Sequence, residues 1–92
     1  MRTYQCSIVT PSGKVFDDQI ESLTAPGQEG FFGVFAHHTP MISILKKGVI
    51  QIKKNTEQKY FAIDSGILEV AKNNQVLILA SNATPTEMNK LN

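Results

Sequence analysis

Apolar and polar residues alternate with period two along most of the chain, which predicts half-buried β-strands rather than helices. Tyr4, Cys6 and Ile8 alternate with Gln5 and Ser7 in a strand that ends at Thr10 and Pro11. Pro11-Ser12-Gly13 predicts a turn. Lys14 to Ala25 reads as a long extended stretch with broken alternation. Asp17-Asp18 interrupts it, and Ile20 and Leu23 are out of phase, so a bulge or a sheet-switching bend is expected there. Met41 to Leu45 is the next short strand, and Lys46-Lys47-Gly48 turns the chain. Ile50 and Ile52 then face one way, Val49 and Gln51 the other. Lys54-Asn55-Thr56-Glu57 forms a polar hairpin loop, after which Phe61 and Ile63 alternate with Tyr60, Ala62 and Asp64. Ser65-Gly66 breaks the run, and Leu68 and Val70 share a face. Asn73-Asn74 predicts a tight hairpin, because Asn tolerates the left-handed conformation. Gln75 to Ala80 is apolar on both faces through Val76, Leu77, Ile78 and Leu79, which predicts a central strand covered on both sides.

Two segments depart from this rhythm. Between Pro26 and Pro40, glycines at 27, 30 and 33 punctuate three phenylalanines and the pair His37-His38. Phe31 and Phe35 share one face of an extended segment and Phe32 takes the other. One set can fill a core, and the other must meet a second layer or a partner. At the end of the chain, Thr84-Pro85-Thr86-Glu87 has a capping residue, Pro at the first helical position and Glu three after the cap. That pattern predicts a short helical stub. The whole reads as an all-β domain, a two-sheet β-sandwich or flattened barrel over residues 1–83, followed by a tail at 84–92 with one helical turn.

Composition narrows the functional classes. Ninety-two residues suit one domain with one modest core. A net charge of +1 gives no electrostatic case for nucleic acid or anionic lipid. The nearest basic cluster, Lys46, Lys47, Lys53 and Lys54, reads as a solvated rim. No apolar run approaches the roughly 20 residues that span a bilayer, so no direct membrane insertion is expected. The lone Cys6 has no partner for an internal disulfide and fits a reducing compartment or, the preferred reading, simply a small buried thiol.

No catalytic constellation emerges. His37 and His38 are the only histidines, and neighbours on an extended chain point apart, whereas a zinc or iron site needs three or four converging ligands. One exposed and one packed histidine beside Pro40 is the simpler expectation. Ser65 lies outside a Gly-x-Ser-x-Gly elbow, and Cys6 has no basic neighbour to activate it. Asp17-Asp18 reads as a solvated pair. The glycine spacing at 27, 30 and 33 is neither a phosphate loop nor a dinucleotide fingerprint, and no helix follows it. No catalytic, metal or cofactor site is therefore expected.

Against that background, the segment Gly27-Gln28-Glu29-Gly30-Phe31-Phe32-Gly33-Val34-Phe35-Ala36-His37-His38-Thr39-Pro40-Met41 resembles the epsilon subunits of F-type ATP synthases. Those typically read Gly-x-Glu-Gly-x-x-Gly-apolar-x-Pro-Gly-His-x-Pro-Leu. Leu45-Lys46-Lys47-Gly48-Val49-Ile50-Gln51-Ile52 resembles the strand pair that follows, and Ser65-Gly66-Ile67-Leu68-Glu69-Val70 resembles the family's Gly-Gly-apolar-apolar-Glu-Val signature. The start is similar too, with Ile8-Val9-Thr10-Pro11 and then Val15-Phe16. Ala36-His37 stands where the family has Pro-Gly, and Ser65 replaces the first Gly of the later motif. The chain ends near the expected start of the family's C-terminal helical hairpin, so no hairpin domain is expected.

The resemblance implies a non-catalytic central-stalk subunit that joins the rotor subunit gamma to the membrane ring and couples proton translocation to ATP synthesis. It implies contact with the catalytic head only indirectly. By position, Gln28, Glu29, Gly30, Phe31 and Phe32 correspond to the family's ring-facing end. Thr10, His38, Thr39, Met41 and Ile42 correspond to its gamma-facing side. The implied location is the cytoplasmic face of a bacterial plasma membrane, or its organelle equivalent. Two readings without this family remain open: a free-standing sandwich that binds a small ligand or sugar, and a small cupin-like metal enzyme using His37 or His38.

Overall fold

The computed structural model describes residues 2–87 and contains ten β-strands and no helix in that span. Strands β1 (Tyr4–Thr10) and β2 (Gly13–Ile20) form a hairpin, and β3 (Ser22–Gly27) and β4 (Gly30–Phe35) form a second. Then come β5 (Met41–Leu45), β6 (Gly48–Lys54), β7 (Glu57–Ile63), β8 (Gly66–Ala71), β9 (Gln75–Ala80) and β10 (Ala83–Thr86). The ladder runs β10-β7-β6-β3-β5-β8-β9-β1-β2, with β4 paired to β3. The β3–β5 link is a single pair, Gly27 with Leu45. The path therefore folds into two five-stranded layers, β5-β8-β9-β1-β2 and β10-β7-β6-β3-β4, facing each other across one core.

The alternation read from the sequence sets the core. Tyr4, Cys6 and Ile8 of β1 are buried, as are Ile50 and Ile52 of β6, Leu68 and Val70 of β8, and Val76 and Ile78 of β9. The layers are tied at both open margins. On one side, Lys54 at the end of β6 forms an ion pair with Asp18 of β2. Nearby, the ring of Phe16 meets Phe61 edge-on at 5.6 Å. On the other side, the buried hydroxyl of Tyr4 donates to the carbonyl of Val34 on β4. A nearly closed, flattened barrel results.

The bulge or sheet-switching bend expected between Lys14 and Ala25 is found there in both forms: the register slips at Ile8/Val9, where Val15 is the extra residue, and the chain changes layer at Glu21, while Asp17-Asp18 pair regularly with Ser7 and Cys6. Two other expectations are corrected. Gln75 to Ala80 is central, between β8 and β1, but only its Val76, Ile78 and Ala80 face is buried, while Leu79 is 49% exposed. Thr84, Pro85 and Thr86 form no helical turn; they extend along β7 opposite Ala62, Phe61 and Tyr60. Capping residues stabilise a helix only if the following turns can pack, and here the open edge of β7 supplies a ladder instead. The rest of the expected stub, from Met88 onward, lies outside the described residues.

Candidate partner-binding surface

The β3–β4 hairpin is closed by Gln28 and Glu29, with Gly27 opposite Gly30. Glycine is required at both ends. Gly30 has φ of +130°, and a Cβ on Gly27 would lie 2.9 Å from the ring of Phe32. The turn thus projects Gln28 and Glu29 into solvent and brings Phe32 back over Gly27. Strand parity then divides the phenylalanines. Phe31 and Phe35 point outward, 65% and 66% exposed, whereas Phe32 is half-buried and packs on the core.

The hairpin tip leans on β5. The Gln28 N–H donates to the Ile44 carbonyl at 3.2 Å, and the Lys46 N–H donates to the Pro26 carbonyl at 2.8 Å. Beyond that junction the two elements diverge. They leave an open groove of about 480 Å³ lined by the turn, Phe31, Phe32, Ile42, Ser43 and Ile44. Among the described residues, Ile42 is the most exposed large apolar one, at 71%.

From this groove an apolar band continues across the outer layer. Ile44 stands opposite Ile67, Ile67 opposite Leu79, and Leu79 opposite Val9. Directly paired side chains on one face lie within contact reach. Ile44, Ile67 and Leu79 are each about half-exposed, so nothing in the described chain covers the band. A contiguous outward apolar surface of this kind marks an interaction site more often than chance exposure.

The ten residues singled out in the sequence fall into three places. Gln28, Glu29, Gly30, Phe31 and Phe32 form the hairpin tip and groove, and Ile42 joins them there. His38 and Thr39 occupy the loop before β5, and Met41 follows at the start of that strand. Register puts this group at the other end of the layer, beside the start of β1: Met41 pairs with Val70, Val70 with Val76 and Val76 with Cys6. Thr10 joins neither group. It is buried at the end of β1, and its hydroxyl serves its own turn, donating to the Gly13 carbonyl and accepting from the Ser12 N–H. Ile44, Ile67 and Leu79 were not singled out in the sequence. Their signal was the two-faced apolar run at Gln75 to Ala80, which signifies an uncovered outer face as readily as a covered one.

Among the described residues no group of three or more His, Cys, Asp or Glu side chains converges on a metal position. His37 is exposed and His38 half-buried. The His38 Nδ1 lies 2.7 Å from the Thr39 carbonyl, which can only accept, so the proton sits on Nδ1. Burial, with a smaller contribution from the Asp17 charge, pushes the Cys6 thiol up to about 12, so it carries no reactive thiolate at neutral pH. Ser65 shares its hydroxyl with Ser81 and has no base beside it. Asp17 is held below the usual carboxylate range by the Lys14 ammonium first, then by Ser7 and Gln5, a solvated network on the outer face.

The β-sandwich domain of the ATP synthase delta/epsilon chain matches residues 3–86. The chain belongs to this family. Among curated members, it is 40% identical over 83 residues to the ATP synthase epsilon chain of Helicobacter pylori, covering 90% of this chain and 67% of that one. It is 35% identical over 81 residues to the epsilon chain of Leptospira borgpetersenii, covering 88% of this chain and 63% of that one. The chain thus spans about two thirds of the length of these epsilon chains. Solved structures share the fold. A chain of the Euglena gracilis mitochondrial ATP synthase superposes with a TM-score of 0.86 at 18% identity, over 96% of this chain and 58% of that one. A chain of the Tetrahymena thermophila enzyme, solved as central stalk and c-ring, gives 0.80 at 17% identity, over 90% and 66%.

Proposed function

We propose that this chain is a non-catalytic subunit of the central stalk of an F-type ATP synthase, joining the gamma subunit to the membrane ring and turning with both. In this role it conveys torque between proton translocation and ATP synthesis. It meets the catalytic head only indirectly, and it sits peripherally on the cytoplasmic face of a bacterial plasma membrane, or the organelle equivalent, as part of the complex.

The observation that carries this reading is the uncovered band from Phe31 and Ile42 through Ile44, Ile67 and Leu79. A rotor subunit needs rigid faces for partners, not a reactive centre, and an aromatic flanked by aliphatic residues suits an interface core. Family membership points the same way. In this assignment the tip residues Gln28, Glu29, Gly30, Phe31 and Phe32 meet the polar loops of the ring. His38, Thr39, Met41 and Ile42 meet gamma. Thr10, whose side chain is buried, serves the gamma-facing side only by supporting the β1–β2 turn.

Binding of the purified 92-residue chain to purified gamma tests the proposal. The unmodified chain is expected to bind, and a variant with Ile44→Asp and Ile67→Asp to lose at least about tenfold in affinity with little change in melting temperature. An unmodified chain that does not bind gamma would overturn it.

A further inference from the structure

We propose that Asn74 is a positioning residue that clamps the Phe35–His38 corner, and so fixes where His38 and Thr39 stand on the surface offered to the partner. Three segments far apart in sequence meet at this one side chain. The Asn74 Oδ1 accepts from the His37 N–H at 2.6 Å, and the Asn74 Nδ2 donates to the Thr3 carbonyl at 3.0 Å. The amide orientation is fixed by its partners, because a backbone N–H can only donate and a carbonyl can only accept. The β8–β9 hairpin, the entry to β1 and the β4–β5 corner are thereby pinned together.

The corner needs such a pin. The His38 N–H donates to the Phe35 carbonyl at 3.2 Å, closing a four-residue turn whose third residue, His37, has φ of +63°. A positive φ at that position is the signature of a type II turn and favours glycine. A histidine holds it only when surrounding structure over-determines the conformation. Within the described residues, the bond to Asn74 is the contact that anchors the backbone of His37 from outside the turn. Asn74 is itself left-handed, with φ of +61°, at the end of the three-residue loop between Ala71 and Gln75. That conformation aims its side chain at the corner.

The consequence for partner binding rests on the central-stalk reading above, whereas the clamp is a property of the chain itself, so two readouts separate them. Asn74→Gly removes the side chain while keeping a residue at ease with the left-handed backbone. Amide hydrogen exchange at His37 in the full chain is expected to speed up about fivefold to tenfold, the loss of one such bond. Asn74→Asp keeps an acceptor for the His37 N–H and should restore its protection, although the donor to Thr3 is gone. Asn55→Gly makes the same backbone change in the β6–β7 hairpin, where Asn55 has φ of +56°, and should leave His37 exchange unaltered. Affinity for purified gamma should fall for Asn74→Gly and recover for Asn74→Asp. His37 exchange that changes by less than about twofold in Asn74→Gly would overturn the clamp. Faster exchange with unchanged affinity for gamma would overturn its positioning role. If the unmodified chain itself fails to bind gamma, the central-stalk reading falls, and exchange at His37 alone decides the clamp.

Discussion

The hydroxyl of Tyr4 lies 2.7 Å from the carbonyl oxygen of Val34, and this one bond joins the start of β1 to the end of β4, next to its final residue, across the two layers. Tyr4 is 2% exposed and Val34 fully buried, so neither group has water as an alternative. Burial also pushes the Tyr4 hydroxyl well above the usual phenol range, which keeps it a donor at any physiological pH. Tyr4→Phe leaves the ring in place and the Val34 carbonyl without its partner. A cost of about 1–3 kcal/mol is expected. Urea denaturation should show the lower midpoint, with an unchanged slope.

The opposite margin closes with charge. Asp18 is held below the usual carboxylate range by the Lys54 ammonium first and the Gln19 N–H second, and Lys54 is raised chiefly by Asp18. The signs set a window. The Asp18 contribution is present above its unfolded value of about 3.9 and is lost as pH falls through its lower native value. The Lys54 contribution is present below about 10.4 and is lost as pH rises through its higher native value. Both groups face solvent, so the effect is modest and screened by salt. Asp18→Asn should lower the melting temperature slightly at pH 7 and low salt, with the difference shrinking as pH falls below about 3.9 and at molar salt.

Cys6 offers a probe of global opening. It is fully buried on β1, and burial raises its thiol to about 12 against about 8.5 in an unfolded chain. The native thiol should therefore resist a disulfide reagent at pH 8 and react only at the rate of unfolding. Between those two values the unfolded chain releases a proton that the native chain keeps, so stability falls as pH rises through that range. A native thiol that reacts as fast as in urea would contradict the burial.

Phe31 and Phe32 both line the tip groove, but only Phe32 also packs on the core. Phe31→Ala removes an exposed ring and should change stability by less than about 0.5 kcal/mol. Phe32→Ala removes a ring that packs on the core and covers Gly27, and should cost about 1–3 kcal/mol, less than for a fully buried phenylalanine. Partner binding should fall for Phe31→Ala without any loss of melting temperature. Equal destabilisation by both substitutions would contradict the assignment of faces.

Much of the fold was legible because alternation and turn chemistry agree. Tyr4, Cys6 and Ile8 alternate cleanly and form one buried face, and the Asn73-Asn74 signal lies at the β8–β9 turn, with Asn74 left-handed. The misread places are those where a tertiary partner decides between local options. Thr84-Pro85-Thr86-Glu87 carries a helix-start pattern, yet Ala83–Thr86 lies in a ladder, because the open edge of β7 cannot be seen from the tail's own residues. Leu79 looks like core from its neighbours and is surface, because which face of β9 is covered depends on the other layer. The parity of Phe31, Phe32 and Phe35 was readable, but which set faced inward was not. The tie between Asn74 and His37 spans 37 positions and leaves no local pattern at all.

Co-purification from native membranes through a tag on this chain would show directly whether it sits in the central stalk. Recovery with gamma, the catalytic head and the ring, lost on Ile44→Asp with Ile67→Asp, is the predicted result. Recovery of the chain alone, under gentle detergent and low salt, would contradict a place in the central stalk.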